Sequence, residues 1–362
     1  MTNEPRPLRV IQFSTGNVGE HSLRQIIEDP GLELVGLHAN SPDKTGRDAA
    51  LLCGLTEPTG ILATNDTAAL VALGADCVVY TSQAEMRPDG ALDELTAFLE
   101  SGTNVVASSL VWLIHPGHAD PWLTEPLEAA CARGNSTMLV TGIDPGFSGD
   151  VLPLAALRLA QSATKVVVQE IFDYGTYDDA EFTGVAFGFG AAPDAEPPLM
   201  FLPEVAKSIW GGPVKVVAQA LGVELDEITE QVENWYTPEQ IECTMMTVPA
   251  GHVAAVRFAV QGLKDGEVII SMEHVNRLTQ AAAPDWPYPP DGRSGVHRVV
   301  VSGRPGVEIN THVGHDVDDV NLGGIISTAA TVVNAVRAVC EAPPGLTEAT
   351  RLPLPQARGL MR

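Results

Sequence analysis

The chain is poor in cysteine and in positive charge, and it lacks long apolar runs. Its five cysteines, Cys53, Cys77, Cys131, Cys243 and Cys340, are scattered over 362 residues. None forms a C-x-x-C pair, so neither a metal site nor a disulfide framework is expected, and buried free thiols are the default. Lysine and arginine number 21 against 46 aspartates and glutamates, for a formal net charge of −25. A balance this acidic argues against nucleic acid as a partner. No apolar stretch reaches the roughly 18 to 20 residues of a membrane span. The N-terminal segment Met1–Pro7 has no apolar signal region. The expectation is a cytoplasmic protein with no membrane partner.

What is present suffices for two ordinary cores: 45% hydrophobic residues in a chain of two-domain length. The opening is the most informative stretch. An apolar run from Leu8 ends at Phe13, a glycine turn follows, and Val18–Ile27 has apolar positions at helical spacing. The turn reads Ser14-x-Gly16-x-x-Gly19, with Thr15, Asn17 and Val18 between, and serine in the first glycine place. Strand, glycine turn and helix in this order form the context of a dinucleotide-binding fingerprint. Gly16 would admit a pyrophosphate, Gly19 would let the helix pack closely on its strand, and the helix N-terminus would hold the phosphates. The plainer reading is a strand-to-helix turn that needs glycine for its geometry alone.

Through about residue 145, strand and helix patterns alternate, as in a doubly wound parallel sheet. After Pro145-Gly146 the rhythm changes. Lys165–Phe172 reads as a strand, Pro203–Leu221 and Leu225–Trp235 as helices, and five extended runs follow between Glu242 and Val313. Lys264-Asp265-Gly266 marks a hairpin turn. The second region is thus an α+β domain with an antiparallel sheet. Leu322–Ala342 reads as one long helix ended by Pro343-Pro344-Gly345, and the Pro-, Leu- and Arg-rich tail is expected to pack back on the first domain.

The second strand ends at His38-Ala39-Asn40-Ser41, where NAD-binding folds usually place a carboxylate for the ribose 2′-hydroxyl. None is there. Asn40 and Ser41 occupy the place, and Lys44 and Arg47 follow. A 2′-phosphate would suit a hydroxyl donor and two cations, so NADP is the preferred cofactor, with NAD open. Alternatively Lys44 and Arg47 are solvated loop charges neutralised by Asp43 and Asp48, or Arg47 covers an adenine face.

Val10–Gly19, Ser41–Asp48, Cys77–Thr81 and Gly142–Phe147 resemble stretches of the 2,4-diaminopentanoate dehydrogenases and related native amine dehydrogenases, whose architecture is similar to that of dihydrodipicolinate reductases. The likeness continues through Val168–Tyr174, Ala283–Pro287 and Thr331–Ala335, nearly the whole chain. It implies an N-terminal Rossmann domain, residues 1–147, rejoined by a returning C-terminal helix, residues 322–362. It implies an inserted α+β domain, residues 148–321, for substrate and dimerisation, and a homodimer. It also implies nicotinamide-dependent reductive amination of a carbonyl, or the reverse. By this likeness Thr81 and Ser82 border the nicotinamide, and Asp144 to Gly146 lie near the carboxamide or the hinge. Family members carry a glutamate just after the fifth strand, where it can hold ammonia and move protons. Here Asn104 through His118 contains no carboxylate.

That departure leaves three readings. One is an oxidoreductase that delivers hydride to a C=O or C=N carbon of a small, rather apolar carbonyl or imine substrate. The second is a true amine dehydrogenase with a relocated base, and the third a non-catalytic NADP(H)-binding protein. Candidate proton carriers are His115, with His118 nearby, and the group Glu170, Asp173, Tyr174 and Tyr177 at the end of the Lys165–Phe172 strand, an edge expected to face the cofactor cleft. Each has a bland alternative: helix-capping or solvated histidines, an aromatic wall, structural carboxylates. His312, His315 and Asp316 form a His-x-x-His-Asp run whose spacing does not converge on a metal, and Trp286 reads as a packing residue.

Overall fold

The computed structural model describes residues 6–317 and 319–353. The chain divides into two compact units, residues 1–143 with 325–362, and residues 144–324. The sequence reading passes into the second domain at 148 and out of it at 322. The earlier entry has a physical reason: Asp144 makes its hydrogen bonds to Ser148, Trp210 and His274, all of the second unit.

The first unit contains β1 (Leu8–Phe13), α1 (Asn17–Glu28), β2 (Leu32–His38), β3 (Ala63–Thr64), α2 (Thr67–Val71), β4 (Cys77–Tyr80), α3 (Pro88–Glu100), β5 (Asn104–Ala107), α4 (Pro121–Gly134) and β6 (Thr137–Val140). All pair in parallel, with Gly345–Thr347 added beside β6. The order is Gly345–Thr347, β6, β5, β4, β1, β2, β3. It reverses between β1 and β4, the switch point where open α/β sheets take ligands at the carboxyl ends of their strands. Alternate β1 residues feed opposite cores: Ile11 and Phe13 pack with Tyr80 and Phe98, while Val10 packs with Val79 and Val106. On α1, Gly19, Ser22, Leu23 and Ile26 are buried at helical spacing.

The second unit holds α5 (Val151–Leu157), β7 (Ser162–Asp173), α6 (Val205–Leu221), β8 (Glu227–Tyr236), the short pair β9 (Ile241–Glu242) and β10 (Thr247–Val248), β11 (Val253–Lys264), β12 (Glu267–Arg277), β13 (Gly295–Arg304) and β14 (Val307–Thr311). Its six-stranded sheet runs β14, β13, β7, β12, β11, β8. The sheet is mixed, because β7 and β12 pair in parallel while its other pairs are antiparallel. The β11–β12 hairpin turns through Asp265 (φ 52°) and Gly266 (φ 80°), the left-handed pair its sequence predicts. Residues 225–235, expected as a helix, are mostly strand β8. Ile228, Val232 and Trp235 mimic helical spacing, but pairing along β11 overrides it.

The last helix, α7 (Val320–Cys340), is long and apolar enough to cross a membrane by length and composition. The sequence reading missed this because Asn, Gly, Ser and Thr interrupt the run. In the structure Val332, Val333, Val336 and Val339 of this helix lie in the first unit's core. The tail beyond residue 353 lies outside the described residues.

Candidate functional site

The first cluster of interest surrounds the turn between β1 and α1. Ser14 takes φ 90°, a left-handed conformation unusual for serine. Gln12, fully buried, braces it: Nε2 donates to the Ser14 carbonyl at 2.9 Å and to Thr81 Oγ1 at 2.8 Å, while Oε1 accepts from Ser22 at 2.8 Å. A Cβ at Gly19 would stand 2.5 Å from the Ser14 carbonyl oxygen and 3.0 Å from Thr81 Oγ1, so only glycine lets α1 approach this closely. A Cβ at Gly16 would meet nothing nearer than Ser14 Oγ at 3.9 Å. The backbone is therefore open above Gly16, and no side chain caps α1. An uncapped helix N-terminus beneath open space fits a phosphate group. Thr15, Asn17 and Val18 complete this turn.

The loop after β2 turns back toward it. Lys44 Nζ donates to the Thr15 carbonyl at 2.8 Å, so its charge sits at the glycine turn. The Ser41 hydroxyl bonds the Asp43 carboxylate, which holds Asp43 below its usual range. Asp48 does not neutralise the cations. Its oxygens are taken by Ala50, Thr59 and Gly60 amides and the Thr59 hydroxyl. Arg47 is exposed, with no hydrogen-bond partner for its guanidinium among the described residues, and Asn40 is exposed at the strand end.

Of the residues expected at the nicotinamide, Thr81 is bonded to Gln12. Ser82 Oγ accepts from Arg87 at 2.9 Å, within a network in which Arg87 also holds Glu94 and Tyr80. His115 is buried and bonded through Nδ1 to Glu348 Oε1 at 2.9 Å. That pairing ties the segment after β5 to the returning C-terminal strand and explains the burial of this histidine. The segment after β5 does receive a carboxylate, from another loop: Glu85 accepts from the amides of Leu110 at 2.8 Å and Ala84 at 3.1 Å.

The second cluster lies in the second unit. Register sets His274 of β12 and His297 of β13 on either side of Glu170 of β7, a buried row of three across the sheet. Glu170 Oε1 accepts from the Tyr174 hydroxyl at 2.8 Å and from Asn276 Nδ2 at 2.9 Å. Asp144 lies in the same buried cluster. Its Oδ1 accepts from Trp210 Nε1 at 3.0 Å and contacts His274 Nε2 at 3.2 Å, while Oδ2 accepts from Ser148 at 2.6 Å. Burial alone would raise Asp144 and lower His274; their mutual attraction wins, holding the carboxylate well below its usual range and lifting the imidazole. Burial lowers His297, which therefore stays neutral. Burial, then the neighbouring Glu170 charge, raises the Tyr174 phenol. Burial first pushes Tyr177 up to about 12. Both phenols keep their protons at neutral pH.

The structure thus joins Glu170 and Tyr174 by a hydrogen bond, stacks Tyr177 on Tyr174 at 5.2 Å, and places Asp144 in a buried ion pair rather than at an open carboxamide site. Sequence reasoning missed Gln12, Glu85, His274 and Asn276. The signals were a lone glutamine in an apolar strand and polar residues at i and i+2 in β12. Asp144, Glu170 and His274 also offer ligand atoms within 4.8 Å of one another, a spacing a metal ion could use. His312, by contrast, bonds the Gly295 carbonyl at 3.0 Å. Trp286 is buried against Ile171 and Val275, as its packing role requires.

Comparison with known proteins places these features in context. Residues 210–361 match the 2,4-diaminopentanoate dehydrogenase C-terminal domain. An amine dehydrogenase from Streptomyces virginiae is 38% identical over 353 residues, spanning 97% of this chain and 98% of the relative. A 2,4-diaminopentanoate dehydrogenase from Acetoanaerobium sticklandii is 22% identical, over 97% of this chain and 94% of its own. The solved amine dehydrogenase of Mycobacterium smegmatis superposes with a TM-score of 0.78 at 18% identity, covering 97% of this chain and 98% of that one.

Proposed function

The chain belongs to the amine dehydrogenase family, and on that premise we propose an NAD(P)H-dependent oxidoreductase, with NADP(H) preferred, acting at a C=N or C=O carbon of a small, rather apolar substrate. The observation that carries the cofactor preference is Lys44. Its ammonium is held 2.8 Å from the Thr15 carbonyl, beside a strand end that offers Asn40 where a carboxylate would repel a 2′-phosphate, while the Ser41 hydroxyl is engaged by Asp43. Arg47 adds an exposed guanidinium on the same loop. The open backbone at Gly16 and the uncapped start of α1 suit a pyrophosphate. When bound, the cofactor gives or takes the hydride; the chain's own task is to hold the cofactor and to manage the substrate's polar atom.

The choice between plain reduction and ammonia-dependent amination turns on a base. Segment 104–118 holds no carboxylate, but Glu85 reaches it through the Leu110 amide. This favours the reading in which a carboxylate from the loop after β4 serves the role, with Glu85 as the relocated base.

Two measurements test the proposal. Fluorescence titration of NADPH and NADH should give tighter NADPH binding. Arg47→Ala and Lys44→Met should weaken it by about 1.5 to 3 kcal/mol, the range for a hydrogen bond to a charged group. Equal affinity for the two cofactors in the wild type removes the preference. Cofactor consumption with cyclic and linear ketones, with and without ammonium, then separates reduction from amination. If Glu85 is the base, Glu85→Gln lowers the ammonium-dependent rate about 10² to 10⁴-fold, as expected for loss of a positioned base.

A further inference from the structure

We propose that Cys77 and Cys340 form an oxidation site, a thiol pair that a small-molecule disulfide converts into an internal cross-link between β4 and the end of α7.

The cysteines are free and scattered in sequence, yet the fold brings two of them together. Successive side chains of a strand face opposite ways. On β4, Val78 and Tyr80 enter one core, while Cys77 and Val79 enter the other. That second core is the one α7 fills with Val332, Val333, Val336 and Val339, and Cys340, the last residue of the helix, packs against it. The Cys340 thiol reaches the Asp76 carbonyl at 3.6 Å, across 264 residues of sequence. The carbon of that carbonyl is bonded to the Cys77 nitrogen, so the Cys340 sulfur stands beside the Cys77 backbone. The two thiols are hydrogen-bonding neighbours. Burial first, and then this contact, holds the Cys77 thiol well above its usual range.

Unequal exposure assigns the roles. Cys77 is fully buried, whereas Cys340 is half-buried and meets a solution reagent first. In thiol–disulfide exchange a thiolate attacks one sulfur of a disulfide and expels the other. The Cys340 thiolate attacks glutathione disulfide, forming a mixed disulfide and releasing one glutathione. The Cys77 sulfur then attacks the Cys340 sulfur, and its proton leaves with the second glutathione. The protein thiols lose two electrons and two protons, and one glutathione disulfide becomes two glutathiones. Cys243 supplies the contrast. It is also half-buried, but its thiol donates to the Met246 carbonyl at 3.2 Å, and it is in the second unit while the other cysteines are in the first. It can take up glutathione and has no thiol partner in its own unit to expel it.

The cross-link joins residues 1–143 to residues 325–362, the two segments that make up the first unit. Closing so long a loop restricts the unfolded chain and so stabilises the folded one. Cys77 opens β4. Thr81, which is bonded to Gln12 at the glycine turn, lies past the other end of that strand, about 13 Å away at the usual rise per residue.

The test is treatment of the reduced full chain with glutathione disulfide, acid quenching and non-reducing peptide mapping. The expected product is a joined Cys77–Cys340 peptide pair, lighter by two hydrogens than the separate peptides and restored by dithiothreitol, with glutathione kept on Cys243. In Cys77→Ala, Cys340 should keep its glutathione instead. Cys340→Ser changes only the half-buried partner, and it should leave Cys77 unmodified. Denaturant unfolding should shift to higher concentration in the oxidised wild type, a shift absent from Cys340→Ser. A wild type whose Cys340 retains glutathione overturns the pair whether or not the variants fold. So does one in which Cys77 and Cys340 both remain free to alkylation once unfolded, or in which Cys340 joins a different cysteine. A cross-linked wild type no more stable than the reduced chain refutes the tie between the two segments.

Discussion

Gly16 and Gly19 stand three residues apart in one turn, and the structure assigns them different burdens. A methyl group at Gly19 would sit 2.5 Å from the Ser14 carbonyl oxygen and 2.9 Å from its carbon, both backbone atoms that cannot swing aside. Ordinary contact begins near 3.4 Å, so α1 or the turn must move by about 0.9 Å in Gly19→Ala. Overpacking of this kind costs about 1 to 3 kcal/mol. It also displaces the carbonyl that Gln12 holds at 2.9 Å, and with it the turn. At Gly16 the nearest atom to an added methyl is 3.9 Å away and φ is −76°, so the protein alone has room. Exchanging glycine for alanine at this helix cap should cost at most about 1 kcal/mol. Denaturant unfolding should therefore show Gly19→Ala clearly destabilised and Gly16→Ala nearly unchanged. NADPH titration should show both weakened tenfold or more, Gly16→Ala because its methyl enters the space a pyrophosphate needs. Wild-type cofactor affinity in Gly16→Ala would refute the fingerprint, and wild-type stability in Gly19→Ala would refute the packing argument.

The His115–Glu348 pair is fully enclosed, so His115→Ala should cost about 1 to 3 kcal/mol by stranding a buried carboxylate, tempered by Arg351 at 3.4 Å. Chemical denaturation measures this, and a variant that loses turnover at unchanged stability would return His115 to the chemistry. For the Asp144–His274 pair the pH dependence has a definite sign. The depressed Asp144 contributes stability present above about pH 4 and lost as pH falls toward its folded value. The raised His274 contributes stability fully present below about pH 6.5 and lost as pH rises through its folded value. His297, buried and lowered, acts in the opposite sense, so the readout is the stability gap between wild type and His274→Gln, which His297 shares. That gap should narrow from pH 5 to pH 9; a constant or widening gap would contradict the ion-pair argument, in which the charges of Glu170 and Glu273 also raise His274.

The first unit was legible because its signals are local. Val10 to Gly19 spells strand, turn and helix within a few residues; in the second unit the Lys264-Asp265-Gly266 turn announces its hairpin in the same local way. Lys44 was legible as a charge, but its reach back to Thr15 was not, since the two are 29 residues apart in sequence. Residues 225–235 misled because Ile228, Val232 and Trp235 fit a helical stripe, and only the neighbouring β11 strand decides otherwise. The direction of β7 beside β12 was hidden for the same reason: parallel or antiparallel pairing is set by which strands meet, not by the residues of one strand.

The second cluster shows where sequence reasoning stops in principle. Glu170 and Tyr174 are four residues apart, so the sequence groups them at one strand end, though without showing their hydrogen bond. His274, Asn276 and His297 lie more than one hundred residues further on, and only strand register brings them beside Glu170. A slip of one residue in β12 would turn His274 and Asn276 to the opposite face and bring Glu273 and Val275 to the Glu170 face. The direction of the Tyr174 hydrogen follows from the same register, because Asn276 and Tyr174 must reach one carboxylate oxygen together. The hydrogen bonding of Tyr174 is therefore set by strand pairing. Tyr174 read alone suggests a proton donor to substrate; read with Glu170, its hydrogen is already given to a carboxylate.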